Sequence, residues 1–304
     1  MNLYCLGDIG SYSSDLKKII KHFIKKYADS ENNKIVLLGD NFYPFGVKNP
    51  DGAEWNKFKN IFKTDNTNIY AILGNHDYFN NPKAQIDSNY WTMPDYFYFK
   101  QINNIGLWFI DTQILDPGDS NSINPFLNLY DNIDKYHSNY IKIFNNQLNW
   151  LESTFESYNN LDIKIVFGHY PIISGGIYDK NEKLYSILMP LFYKYNITAY
   201  ISGHDHNLQH LQLKIHNYSF NQFISGCNDQ EHVYNIQNDE FKESGFFSAE
   251  SGYLKIYSKP NMHNMHNNLI FEFKSAANKT LYKYKNPNKK PNKNPNKKPN
   301  KKAN

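Results

Sequence analysis

The chain has 304 residues, 40% hydrophobic and 16% aromatic, enough for a sizeable buried core and unlike a disordered composition. All 33 basic residues are lysine, so a phosphate-binding group here has to be a metal, a lysine, a histidine or a backbone N–H rather than a guanidinium fork. The formal charge of +4 is an uneven average: residues 286–304 hold seven lysines and no acid, which leaves 1–285 at −3 and argues against a nucleic-acid-binding body.

The predicted elements alternate. Short apolar runs at 2–6, 34–38, 69–73, 106–110, 163–167 and 198–202 read as buried strands. Between the first two, Leu16, Ile19, Ile20, Phe23, Ile24 and Tyr27 follow a helical rhythm, with Ser13 or Ser14 as N-cap. Weaker helices fit 54–62, 145–157 and 182–195, and Pro190 is expected to kink or divide the last. Helices between buried strands imply a largely parallel sheet. From about 211 the texture changes, and 211–216, 221–225, 252–257 and 268–274 read as added antiparallel strands.

The division expected is one domain over 1–285 and a disordered Lys/Asn/Pro-rich tail over 286–304, with no role or an electrostatic attraction to anionic surfaces. Cys5 and Cys227 are too few for a disulfide framework. No leader-like run precedes Leu3 and no apolar stretch approaches the ~18 residues of a membrane span, so an intracellular, cytoplasmic setting is expected.

Chemistry gathers at strand ends. Gly7-Asp8, Gly39-Asp40, Gly74-Asn75-His76-Asp77, Gly168-His169 and Gly203-His204-Asp205-His206 each follow a predicted strand. Beyond the carboxyl ends of an α/β sheet such residues share one rim, and Asp, Asn and a His-x-His pair are metal-ligand types. Each fragment alone is weak; five in order are specific.

These stretches, with Asp40-Asn41-Phe42-Tyr43, His169-Tyr170-Pro171 and Asn207-Leu208-Gln209, resemble the calcineurin-like metallophosphoesterase superfamily, and within it the purple acid phosphatases of the short, tartrate-resistant type. Most of the superfamily has Asp-x-His first; here Gly10 stands two after Asp8, and Tyr43, three after Asp40, fits the ligand that replaces the lost histidine. The resemblance implies an α/β sandwich of two mixed β-sheets flanked by α-helices. It implies one metal on Asp8, Asp40, Tyr43 and His206, and a second on Asp40, Asn75, His169 and His204. Fe(III) is expected at the Tyr43 site and Fe(II), Zn or Mn at the other. The implied reaction is hydrolysis of a phosphate monoester, on a small molecule or a phosphoprotein, with a metal-bound hydroxide as nucleophile and His76 as general acid or phosphate-positioning group. Asp77 is a candidate to orient His76 or to shape the turn, and His210 a candidate to support His206. Tyr178 stands where the family commonly has a histidine, which weakens the expectation of an acidic optimum. A diesterase or protein phosphatase of the same superfamily, or a non-catalytic scaffold using the basic tail, are the competing readings.

Overall fold

The apolar runs pair into two sheets packed face to face. The structure is a computed structural model and describes residues 1–27, 32–62, 69–118, 133–226, 245–258 and 269–286. In chain order the strands are β1 (Asn2–Leu6), β2 (Asn33–Leu38), β3 (Ile69–Ile72), β4 (Tyr98–Ile102), β5 (Ile105–Phe109), β6 (Ile163–Phe167) and β7 (Ala199–Ser202). There follow β8 (Leu208–Ile215), β9 (Tyr218–Ser225), β10 (Phe246–Ser248), β11 (Gly252–Ser258), β12 (Leu269–Ser275) and β13 (Thr280–Lys285). One sheet runs β13-β12-β11-β1-β2-β3 and the other β10-β8-β9-β7-β6-β5-β4. Each has a parallel centre, β1-β2-β3 and β5-β6-β7-β9, extended by antiparallel strands. The expected two-sheet α/β sandwich is what forms.

The central strands are apolar on both faces, and strand alternation sorts their side chains. Leu107, Phe109, Ile165, Phe167 and Ile201 enter the core between the sheets. Trp108, Val166 and Tyr200 point the other way, into a second core. There they meet Leu151 and Phe155 of α5 (Ile133–Ser157) and Leu184, Leu188 and Phe192 of α6 (Glu182–Tyr195). On the first sheet, α1 (Ser14–Tyr27) and α2 (Trp55–Phe62) supply Leu16, Ile19, Phe58 and Phe62, while α3 (Pro82–Ile86) and α4 (Thr112–Leu115) are short. Ser13 caps α1, its Oγ accepting the Leu16 N–H at 3.0 Å. Asn181 caps α6 by accepting from Leu184.

Several elements depart from expectation. Helix α6 continues undivided through Pro190, which lies on its exposed side together with Ser186, the residue whose carbonyl loses its N–H partner. Helix α5 begins twelve residues before the expected 145, in a stretch where Ile133, Tyr136, Tyr140 and Phe144 stand at helical spacing in the sequence. Strands β4, β10 and β13 were not anticipated. In β13, Tyr282 and Tyr284 turn inward between lysines, a period hidden by its likeness in composition to the tail. The tail expected from 286 lies outside the described residues from 287 on; Asn286 is buried and donates its N–H to Leu269. Cys227, His232, His263, His266 and the side chain of His137 are also outside them. Among the described residues no helix is long and apolar enough to cross a membrane.

His210 is a core residue rather than a support for His206. Its ring stacks on Phe223 with centroids 4.2 Å apart, packs against Tyr284, and bonds the Tyr282 hydroxyl through Nδ1 at 2.9 Å. Burial pushes its pKa down to about 4, against the opposing effect of Asn221. The folded state therefore resists a proton that the unfolded chain takes up near 6.5, and stability is lost as pH falls from about 6.5 toward 4. The loss is of order 3 kcal/mol. Urea unfolding midpoints measured from pH 7 to 4 should fall less steeply in His210→Gln than in the wild type; parallel curves would contradict this placement.

Candidate metal centre

At one edge of the sandwich the two sheets are tied together. The Gly7 N–H donates to the Ser225 carbonyl at 2.7 Å, and the Ser225 hydroxyl to the Cys5 carbonyl at 2.9 Å. The five motif loops emerge at this edge, just past β1, β2, β3, β6 and β7. Glycines let them converge. Gly39 has φ +89°, and a Cβ there would stand 2.7 Å from His169 Nδ1. A Cβ on Gly74 would stand 2.3 Å from Asp40 Oδ1.

Asp8, Asp40 and His204 all adopt left-handed backbone, with φ of 59°, 52° and 67°. Each costs roughly 1 kcal/mol or more in a residue with a Cβ, and such conformations concentrate where side chains must be aimed. Hydrogen bonds hold them there. Asp8 Oδ2 accepts the His204 N–H at 2.9 Å, and Asp40 Oδ1 accepts the His76 N–H at 2.9 Å.

The remaining donor atoms form two groups. In the first, Tyr43 Oη lies 3.2 Å from Asp8 Oδ1, 3.0 Å from Asp40 Oδ2 and 3.1 Å from His206 Nε2. In the second, His169 Nε2 lies 3.0 Å from Asn75 Oδ1 and 3.5 Å from Asp40 Oδ1. Asp40 belongs to both, one oxygen to each. The His204 ring borders the second group, 5.1 Å from the His169 ring. Six of the seven expected ligands thus meet through donor atoms, and the seventh, His204, through its ring.

This donor set fits cations. Asp8 and Asp40 are 0% and 1% exposed, and their ion pairs among the described residues are all with histidine. Buried carboxylates need compensating charge. His169 Nδ1 sits 2.8 Å from the Leu38 carbonyl, which can only accept, so a neutral ring turns its Nε2 lone pair toward two oxygens. Lone pairs facing one another are repulsive until a positive ion sits among them. Burial, then the Asp8 and Asp40 charges, push the Tyr43 phenol above its usual range, a field that a cation would reverse. For Asp8, burial favours the neutral acid, but the His206 hydrogen bond and the surrounding imidazoles outweigh it and hold the carboxyl below its usual value.

The other candidates divide. His76 is partly exposed at the mouth, its Nδ1 2.8 Å from the Pro44 carbonyl and its Nε2 3.9 Å from Asp40 Oδ2. Tyr178 lays its ring over His204, centroids 4.0 Å apart. Asp77 does not orient His76. It is fully buried and accepts from the N–H groups of Asn41, Phe42 and Gly74 and from Gln85 Nε2, which clamps the Asp40 loop to the Asn75 loop. Burial and then Asp40 push its carboxyl up to about 6, and these donors favour the anion.

Sequence reasoning missed some supports. Asp111 caps α4 (Thr112–Leu115), whose Thr112 Oγ1 accepts the Tyr170 N–H at 3.0 Å and so fixes the loop after His169. Buried Asp205 joins Ser174 and Gln209 beneath Gly175 and Gly176. Asp205 lies within the His204–His206 motif and Asp111 just past β5, but only three-dimensional contact reveals what they hold.

The profile of the calcineurin-like phosphoesterase family matches residues 1–208, which include every donor above. The chain belongs to that family. Within the calcineurin-like phosphoesterases it is 33% identical over 192 residues to tartrate-resistant acid phosphatase type 5 of Oryctolagus cuniculus, a match covering 59% of this chain and 56% of that protein. It is 28% identical over 235 residues to purple acid phosphatase 4 of Arabidopsis thaliana, covering 74% of this chain and 66% of that one. The chain therefore spans little more than half the length of the tartrate-resistant phosphatases it matches. In fold it is similar to GAP50, the anchor in the inner membrane complex of Plasmodium, with a TM-score of 0.73 at 23% identity over 95% of this chain and 89% of the other.

Because Asp77 helps clamp the Asp40 loop to the Asn75 loop, Asp77→Asn, which turns an amide N–H toward backbone donors, should cost about 3 kcal/mol. The melting temperature should fall by roughly 6–10 °C. An unchanged melting temperature would show that the loops are held by something else.

Proposed function

We propose that the chain hydrolyses phosphate monoesters at a two-metal centre, in the manner of the acid phosphatases it resembles. The observation that carries this reading is the division of Asp40, with Oδ2 toward Tyr43 and Oδ1 toward His169. Asp8, Asp40, Tyr43 and His206 would hold one ion, and Asp40, Asn75, His169 and His204 the other. A phenolate is a hard, anionic donor that suits Fe(III), while imidazole, amide and carboxylate suit Fe(II), Zn or Mn. Such ions supply charge stabilisation for phosphoryl oxygens and acidify water, which a chain without arginine has no guanidinium to imitate.

The chain's own residues supply the rest. With His76 Nδ1–H committed to Pro44, Nε2, the atom nearer Asp40, is left to carry the proton of a general acid. As a water oxygen bonds to phosphorus and the ester P–O bond breaks, that proton passes to the departing oxygen. Tyr178, pushed up to about 12 by burial and by Asp205, Asp8 and Asp40, stays a neutral phenol that can donate to a phosphoryl oxygen. The substrate is a phosphorylated small molecule or phosphoprotein. A shift to diesters would need a second ester group to be recognised, and relative rates on a monoester and a diester decide this.

Two substitutions separate the roles. Aerobically purified protein should absorb in the visible through phenolate-to-Fe(III) charge transfer, and Tyr43→Phe should lose the band; a colourless wild type holding two other metals would overturn the iron assignment. His76→Ala should keep its metal content while turnover on a monoester falls by about 10²–10⁴-fold. Unchanged turnover would remove His76 from the mechanism.

A further inference from the structure

A general acid works only within hydrogen-bond reach of its target, and a misplacement of ~1 Å can cost about 10²-fold in rate. The ring assigned to the leaving oxygen, His76, opens a short helical turn, His76–Phe79, that follows β3 of the first sheet. The donors His169 and His204 come from β6 and β7 of the second sheet. The acid therefore has to be held against both sheets. Asp77 secures one side, because its hydrogen bonds stay among segments that follow β2 and β3.

Tyr78 makes the crossing. Its N–H donates to the Asn75 carbonyl at 3.2 Å, so its backbone closes the turn that carries His76. Its side chain is fully buried and donates its hydroxyl to Asp111 Oδ2 at 2.6 Å. Asp111 stands two residues past β5, in the second sheet. So short an O–H···O contact is typical of an ionised acceptor, and a buried bond of that kind is costly to break.

Asp111 is itself fixed by its surroundings. Oδ1 accepts the N–H groups of Gln113 at 2.9 Å and Ile114 at 3.1 Å. Its own N–H donates to Gln147 Oε1 at 2.8 Å, and its carbonyl accepts Gln147 Nε2 at 2.9 Å. The next residue, Thr112, accepts the Tyr170 N–H and so fixes the loop after His169. One carboxylate thus joins the turn of the acid to the loop of a donor. Both Tyr78 and Asp111 are 0% exposed, so the pair acts on His76 without touching substrate.

We propose that Tyr78 and Asp111 are positioning residues that hold the His76 turn at proton-transfer distance from the leaving oxygen. This rests on the monoesterase reading of the centre. If Tyr78 only fills the core, losing its hydroxyl lowers stability and affects every substrate alike. If it positions the acid, the loss matters most where the leaving oxygen most needs a proton. Phenol departs poorly as the anion, whereas para-nitrophenol departs with little help, so the two roles predict different dependences on the leaving group.

The test measures kcat and kcat/KM for phenyl and para-nitrophenyl phosphate, with metal content and melting temperature. The proteins are the wild type, Tyr78→Phe, Asp111→Asn, His76→Ala and the Tyr78→Phe/His76→Ala double variant. Tyr78→Phe should lower kcat about 10-fold on phenyl phosphate and about 2-fold on para-nitrophenyl phosphate, with kcat/KM falling in step and both ions retained. Asp111→Asn, whose amide can still reach the Tyr78 oxygen, should fall between the wild type and Tyr78→Phe, and it carries the test if Tyr78→Phe does not fold. Once His76 is alanine, Tyr78→Phe should add nothing. An equal fall on both esters, no fall, loss of an ion, or a further fall on top of His76→Ala would overturn the positioning role and leave the monoesterase reading intact. A metal-loaded wild type that hydrolyses neither ester would instead overturn that reading, and the positioning role with it.

Discussion

Two carboxylates buried side by side, with no lysine paired to them among the described residues, set the terms for the rest of this fold. Asp8 and Asp40 are almost wholly out of water, and their charge partners within the described chain are histidines. Burying even one such anion is costly unless it is paired. The chain surrounds them with a phenol oxygen, an amide oxygen and imidazole nitrogens, all of which can serve as metal donors. A cation completes this arrangement; a proton relieves only part of it.

The geometry that brings these groups together is maintained from both sheets. Asp8 and Asp40 extend from β1 and β2, and His169 and His204 from β6 and β7 in the opposite sheet. The His204 N–H bonds Asp8, and His169 bonds the Leu38 carbonyl, so these donor residues themselves form part of the seam between sheets. Left-handed backbone at Asp8, Asp40 and His204 and missing Cβ atoms at Gly39 and Gly74 are local concessions to that convergence. Stability elsewhere offsets them: stacked Phe109 and Phe167 on one sheet, and Phe223 against Phe271 across the gap, fill the core behind the site.

Much of this was legible in the sequence because it is local. A Gly followed by Asp, Asn or His after an apolar run predicts both a strand end and a donor, and the five runs match β1, β2, β3, β6 and β7 closely. The compensating pair Gly10 and Tyr43 carried subtype information that no single motif did. What was not legible depends on contacts between distant segments. Asp77 looks like a companion to His76, yet its neighbours are the backbone of 41, 42 and 74. His210 follows His206 by four residues, but in a strand that spacing does not decide which environment a ring meets, and β9 and β13 surround it in the core.

An Asp40 carboxylate shared between two half-sites has a stoichiometric signature. Mass-spectrometric metal analysis of purified protein should find two ions per chain in the wild type, about one in Asn75→Ala, and fewer than one in Asp40→Ala, where both half-sites lose a donor. Two ions retained by Asp40→Ala would contradict the shared carboxylate and the two-metal centre built on it.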